Sequence, residues 1–125
     1  MSVTQVNYEW IADDRALDEL LDRLQNQDRV ALDTEFHREK TYFPRLALIQ
    51  LAWLDGLAIV DPLTCDASKL SRIFGANHLI VLHAAQQDLD VMSHAMCTIP
   101  ARIFDTQIAA GFLGYSTPSL ASLVN

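Results

Sequence analysis

Two carboxylates close an apolar run: Arg29-Val30-Ala31-Leu32 leads directly into Asp33-Thr34-Glu35. The run reads as a buried strand, and strand side chains alternate, so positions 33 and 35 share a face about 6 to 7 Å apart along the chain. Two like charges at a partly buried place repel each other and lose hydration, which folding must offset. A divalent cation does so. Hard cations take carboxylate oxygens, and Mg²⁺ in particular is commonly held by one or two carboxylates together with substrate phosphates.

Composition narrows what such a site can serve. Half of the 125 residues are hydrophobic and a fifth are charged, which is a globular balance and leads us to expect a single domain. No apolar run approaches the roughly 18 residues of a membrane span, and Met1 to Gln5 lacks the basic and apolar regions of a secretory signal. A cytoplasmic protein without membrane contact is expected. Cys65 and Cys97 lack paired metal or redox spacing and are read as reduced packing residues. The formal net charge of −7 argues against holding nucleic acid on a broad basic surface, yet leaves room for a phosphate bridged by metal.

Periodicity sets out an α/β order. Tyr8 to Ile11 is a short strand, and Asp13-Asp14 caps an amphipathic helix through Leu17, Leu20, Leu21 and Leu24. Val30 to Phe36 and Leu46 to Trp53 are strands, and the Asp55-Gly56 turn returns the chain along Leu57 to Val60, giving three antiparallel neighbours. A helix is expected over Ser68 to Phe74, ending at Gly75. Leu79 to Leu82 forms a strand feeding a helix from Ala85 to Met96. Ile103-Phe104 is a last short strand, and Thr106 to Leu113 and Ser119 to Val124 are helical segments interrupted by Gly114 and Pro118.

The helix after His83 contains two aspartates with different surroundings. At about 100° per residue, Leu89, Val91, Met92, Ala95 and Met96 form an apolar arc with Asp88 near its middle, whereas Asp90 faces water beside Gln86, Ser93 and His94. A carboxylate on a buried stripe needs a cation or a donor. Asp88 is therefore a third candidate ligand. Around these acids, His83 ends a strand and suits either a phosphate contact or a structural hydrogen bond. Thr34 and Phe36 flank the acids and could meet a terminal nucleotide through backbone and ring, Phe36 being equally a core candidate. His37, Arg38, Lys40 and Arg45, interleaved with Tyr42 and Phe43, make either a strand-guiding surface or a solvated loop. Asp105 reads as a helix N-cap and Gln50 as a strand residue with a local hydrogen bond.

Four blocks in order carry a family resemblance: Ala31-Leu32-Asp33-Thr34-Glu35-Phe36, then Tyr42 to Leu51, then His83-Ala84-Ala85-Gln86-Gln87-Asp88-Leu89, then Phe104 to Ala110. Together they resemble the N-terminal part of the DEDD 3'-5' exonuclease domain, within it the ribonuclease D family. The resemblance implies an RNase H-like mixed β-sheet flanked by helices. It also implies two divalent ions, Mg²⁺ or Mn²⁺, clamping a terminal phosphodiester, one activating water and the other stabilising the leaving oxygen. Carried over, Asp33 would bridge both ions, Glu35 would bind the ion beside the nucleophile, and Asp88 would support the second through water. The implied reaction trims RNA 3' ends, of structured small RNA or tRNA precursors, to nucleoside 5'-monophosphates.

One departure bears on activity. The family's third motif, Tyr-x-x-x-Asp, is missing: Tyr8, Tyr42 and Tyr115 are followed four positions on by Ala12, Leu46 and Ser119. Residues 1–125 are thus expected to be a partial exonuclease domain, without the fourth acid and the C-terminal helical domain. Such a chain is expected to be inactive alone and to pair through the apolar face around Leu120, Leu123 and Val124. A catalytically inactive module of the same fold, holding nucleic acid or a protein, is the alternative.

Overall fold

The computed structural model describes residues 6–37 and 44–124. Six strands form one mixed sheet: β1 (Glu9–Ile11), β2 (Arg29–His37), β3 (Arg45–Trp53), β4 (Gly56–Val60), β5 (Leu79–Leu82) and β6 (Ile103–Asp105), in the spatial order β1-β4-β3-β2-β5-β6. The strands β2, β3 and β4 are antiparallel, as the Asp-Gly turn implies, while β1 joins β4 in parallel and β5 and β6 extend β2 in parallel. Helices α1 (Asp14–Leu24), α2 (Ala85–Ala95), α3 (Thr106–Phe112) and α4 (Leu120–Val124) complete the chain with a 3-10 helix, Ala67–Ile73. This is the RNase H-like arrangement that the resemblance implies.

Alternation along β2 decides which residues enter the core. Val30, Leu32 and Thr34 are buried, and Ala31, Asp33 and Glu35 are exposed. The buried side packs with Ile49 and Leu51 of β3 and with the stripe Leu17, Leu20, Leu21 and Leu24 of α1, whose side chains are fully excluded from solvent. Burying such a leucine contributes about 1.5–3 kcal/mol. The α1 entrance is closed by Asp13, whose carboxylate accepts from the Ala16 N–H at 2.7 Å. Gly56 has no spare room. A Cβ there would lie 2.5 Å from the Trp53 indole, so the hairpin closes around a residue without a side chain.

Two expectations are corrected. The segment before Gly75 is a 3-10 helix, because Asp66 holds both the N–H and the hydroxyl of Ser68, and the turn runs through i to i+3 bonds from Lys69 to Asp66 and from Phe74 to Ser71. Cys65 is buried, as a packing residue should be, but Cys97 is exposed at φ 56°, where the chain turns after α2. Of the basic and aromatic cluster, His37 and Arg45 are exposed strand ends, and Arg38, Lys40, Tyr42 and Phe43 lie outside the described residues. Among the described residues no helix is long and apolar enough to cross a membrane.

Candidate active site

The end of β5 creates the site. It pairs with β2 only from Arg29 to Ala31, so farther along β2 the backbone on that side meets a side chain instead of a strand. That side chain is Asp88. Its Oδ1 accepts both the Thr34 N–H, at 3.2 Å, and the Thr34 hydroxyl, at 2.5 Å. Asp88 comes from the first turn of α2, which also buries Ala85, Val91 and Met92, and the helical arc expected around position 88 is therefore seen, apart from an exposed Ala95.

Asp88 is 6% exposed, and Thr34 between the two strand acids is 5% exposed. Burial raises the Asp88 carboxyl above the usual carboxylate range. The Thr34 hydroxyl opposes the shift, the charge of Asp33 adds to it, and the Thr34 amide and Glu35 act more weakly in opposite directions. The charges of Asp33 and Glu35 thus reach Asp88, although Asp88 meets Thr34 on the core side of β2 and the two strand acids are on its exposed side. The three carboxylates do not close into a cage: among the described residues no three His, Cys, Asp or Glu side chains converge on a single metal position. The donor chemistry nevertheless fits a hard cation, since all three donors are carboxylates and a positive charge would offset the desolvation and repulsion imposed on Asp88.

Asp33 also opens onto a cleft on the sheet face away from α1. The cleft, about 370 Å³, is bounded by Ala31, Gln50, Ala52, Val81 and His83, with Leu120 at its rim. Gln50 is the β3 residue directly opposite Asp33. His83 has both ring nitrogens engaged, Nδ1 with the Thr106 hydroxyl at 2.8 Å and Nε2 with the Pro118 carbonyl at 2.9 Å. Of its two possible roles, the geometry is that of the structural hydrogen bond. Thr34 likewise directs its polar groups to Asp88, and Phe36, after a bulge at Glu35/Phe36, packs partly against the core.

Sequence reasoning reached Asp105 only as a cap for α3. Its carboxylate caps α3 through the Gln107 N–H at 2.8 Å, and it also accepts from Ala84 N–H at 3.0 Å and Ala85 N–H at 2.8 Å. The available signal was an absence: an alanine at the start of α2 cannot cap its own helix, so an acceptor must come from elsewhere.

Comparison with known proteins gives a consistent result. A family model described as 3'-5' exonuclease matches residues 8–125. A ribonuclease D of Desulfotalea psychrophila is 44% identical over 113 residues, covering 87% of this chain and 30% of that protein. The crystal structure of Escherichia coli RNase D, described as an exoribonuclease involved in structured RNA processing, superposes with a TM-score of 0.91 at 39% identity, covering 95% of this chain and 32% of that one. A Trypanosoma brucei RNase D in complex with RNA U12 shares the fold, with a TM-score of 0.71 at 18% identity over 83% of this chain and 39% of that one. The chain spans about 30% of the length of the curated relatives it matches first.

Proposed function

This chain belongs to the 3'-5' exonuclease family and is ribonuclease D-like over most of its length, and on that premise we propose that it forms the acid-bearing part of an exoribonuclease that trims RNA 3' ends, of structured small RNA or tRNA precursors, in the cytoplasm. The observation that carries this reading is the docking of Asp88 on Thr34, the strand residue that separates Asp33 from Glu35 in the sequence, close enough that the charges of both acids act on Asp88. Asp33, Glu35 and Asp88 would hold two divalent ions, Mg²⁺ or Mn²⁺, which when bound would supply an activated water and charge stabilisation at the leaving oxygen. The strand presents Asp33 and Glu35 to solvent, where a terminal phosphate can approach. Thr34 keeps Asp88 from swinging away, since hydrogen bonds to a charged acceptor contribute about 1.5–3 kcal/mol. Phe36 would flank the incoming nucleotide, while His83 and Thr34 would act from behind it. Without a tyrosine and fourth acid to orient water, residues 1–125 release no nucleotide alone. Self-association through exposed Leu120 and Val124 belongs to the same reading.

The test joins residues 1–125 to the remainder of E. coli ribonuclease D and follows 3'-labelled RNA. Release of mononucleotide is expected from the joined protein with Mn²⁺ or Mg²⁺, and a fall of at least about 100-fold with Asp33→Ala. RNA binding that ignores both the metal and Asp33, without release, would instead support an inactive binding module.

A further inference from the structure

We propose that Asp105 is the positioning residue for Asp88, acting by clamping the start of α2 to the end of β6. This rests on the reading of Asp88 as part of the active site. The geometry begins with an irregularity: α2 is entered through Ala84 at φ 54°, ψ 58°, a left-handed conformation unfavourable for a residue with a Cβ, and the helix has no side-chain cap of its own. Its first two N–H groups are answered by Asp105, Ala84 on Oδ1 and Ala85 on Oδ2. The same Oδ1 caps α3 through Gln107, with a longer contact of 3.4 Å from Ile108. One carboxylate therefore ties together the beginnings of two helices.

Asp105 is itself fixed by the sheet, lying opposite Leu82 in the parallel pairing of β5 and β6. The turn through His83 and Ala84 is held at both ends, by Leu82 in the strand and by Asp105 at the helix. Asp88 follows one turn of helix later, on the face that meets Thr34. A rotation of the α2 entrance would move that carboxylate away from β2, because nothing between Ala85 and Asp88 can absorb it within a hydrogen-bonded turn. With both oxygens engaged by backbone N–H groups, Asp105 acts through Asp88 and not as a metal ligand.

Asp105→Asn removes one arm of the clamp, the Oδ2 acceptor of the Ala85 N–H, and leaves Oδ1 to Ala84 and Gln107. Asparagine keeps an oxygen to cap α3, but its amide group confronts the Ala85 N–H with a donor. In the 125-residue chain, amide hydrogen exchange is expected to speed up at Ala85, which loses its acceptor, and also at Thr34, whose N–H depends on Asp88. Mn²⁺ affinity is expected to fall about 10-fold. Asp13→Ala, which removes the α1 cap, serves as a control that lowers stability and leaves Thr34 exchange and Mn²⁺ affinity unchanged relative to global unfolding. Exposure of Ala85 with Thr34 still protected would overturn the proposal. Failure of the unaltered chain to bind Mn²⁺ would count against the metal reading alone, since Thr34 exchange still reports on the clamp. Should the variant not fold, exchange in the unaltered chain under low urea decides: Ala84, Ala85 and Thr34 are expected to open as one unit with one denaturant dependence, and independent opening would refute the clamp.

Discussion

At the scale of single residues, Asp88 carries a cost that its place in the site explains. Its carboxyl is raised by burial, and by the charges of Asp33 and Glu35, against the pull of Thr34. A folded-state pKa above the unfolded one gives stability that is fully present below the unfolded carboxylate pKa and is lost as pH rises through the folded value. Asp88→Asn is therefore expected to stabilise the metal-free chain at neutral pH by about 0.5–2 kcal/mol, the scale of relieving a functional compromise, with the gain vanishing in acid. Urea unfolding across pH checks this; a loss of stability at neutral pH would contradict it. Asp105 has the opposite sign. Burial pushes its carboxyl up, but the N–H groups of Ala85, Gln107, Ala84 and Ile108 outweigh that and hold it low, so its stability is lost as pH falls through the folded value. The helical period exposed the first of these residues, because a carboxylate on an apolar arc is visible as a pattern. It concealed the second, whose partners at Ala84 and Ala85 lie about 20 positions upstream and follow no local period.

At the scale of elements, the antiparallel group β2, β3 and β4 was legible because alternation and the Asp55-Gly56 turn agree on it. The 3-10 helix at Ala67–Ile73 was not, since the apolar spacing of Ala67, Leu70 and Ile73 suits either helix and the choice is made by Asp66 gripping Ser68. The entrance of α2 is the element whose local conformation conflicts most with its residue. Left-handed backbone at Ala84 costs roughly 1–2 kcal/mol, and glycine would remove that while restoring freedom to the unfolded chain. Ala84→Gly is expected to leave stability unchanged or raise it by up to about 1 kcal/mol, read by thermal unfolding. A loss exceeding about 1 kcal/mol would show that the turn is not strained as described.

For the whole molecule, the distribution of surface matters more than its total. The sheet has a well-covered side, against α1 and α2, and a cleft side on which Ala31, Ala52 and Leu57 line an opening beside Asp33. Exposed Ile108, Phe112, Leu113, Leu120 and Val124 all fall in the C-terminal fifth of the described residues. With a formal net charge of −7, general attraction to a polyanion is not available to this chain. Under the proposed function, recognition of RNA would then depend on a cation held at Asp33, Glu35 and Asp88. The most direct measurement of that claim is a Mn²⁺ titration of the isotopically labelled chain, mapping paramagnetic broadening amide by amide. Saturable broadening centred on Asp33, Thr34, Glu35 and Asp88 is expected, with binding at least about 10-fold weaker in Asp88→Ala. Broadening centred on the acidic face of α1, at Asp14, Asp18 and Asp22, or a failure to saturate, would contradict it.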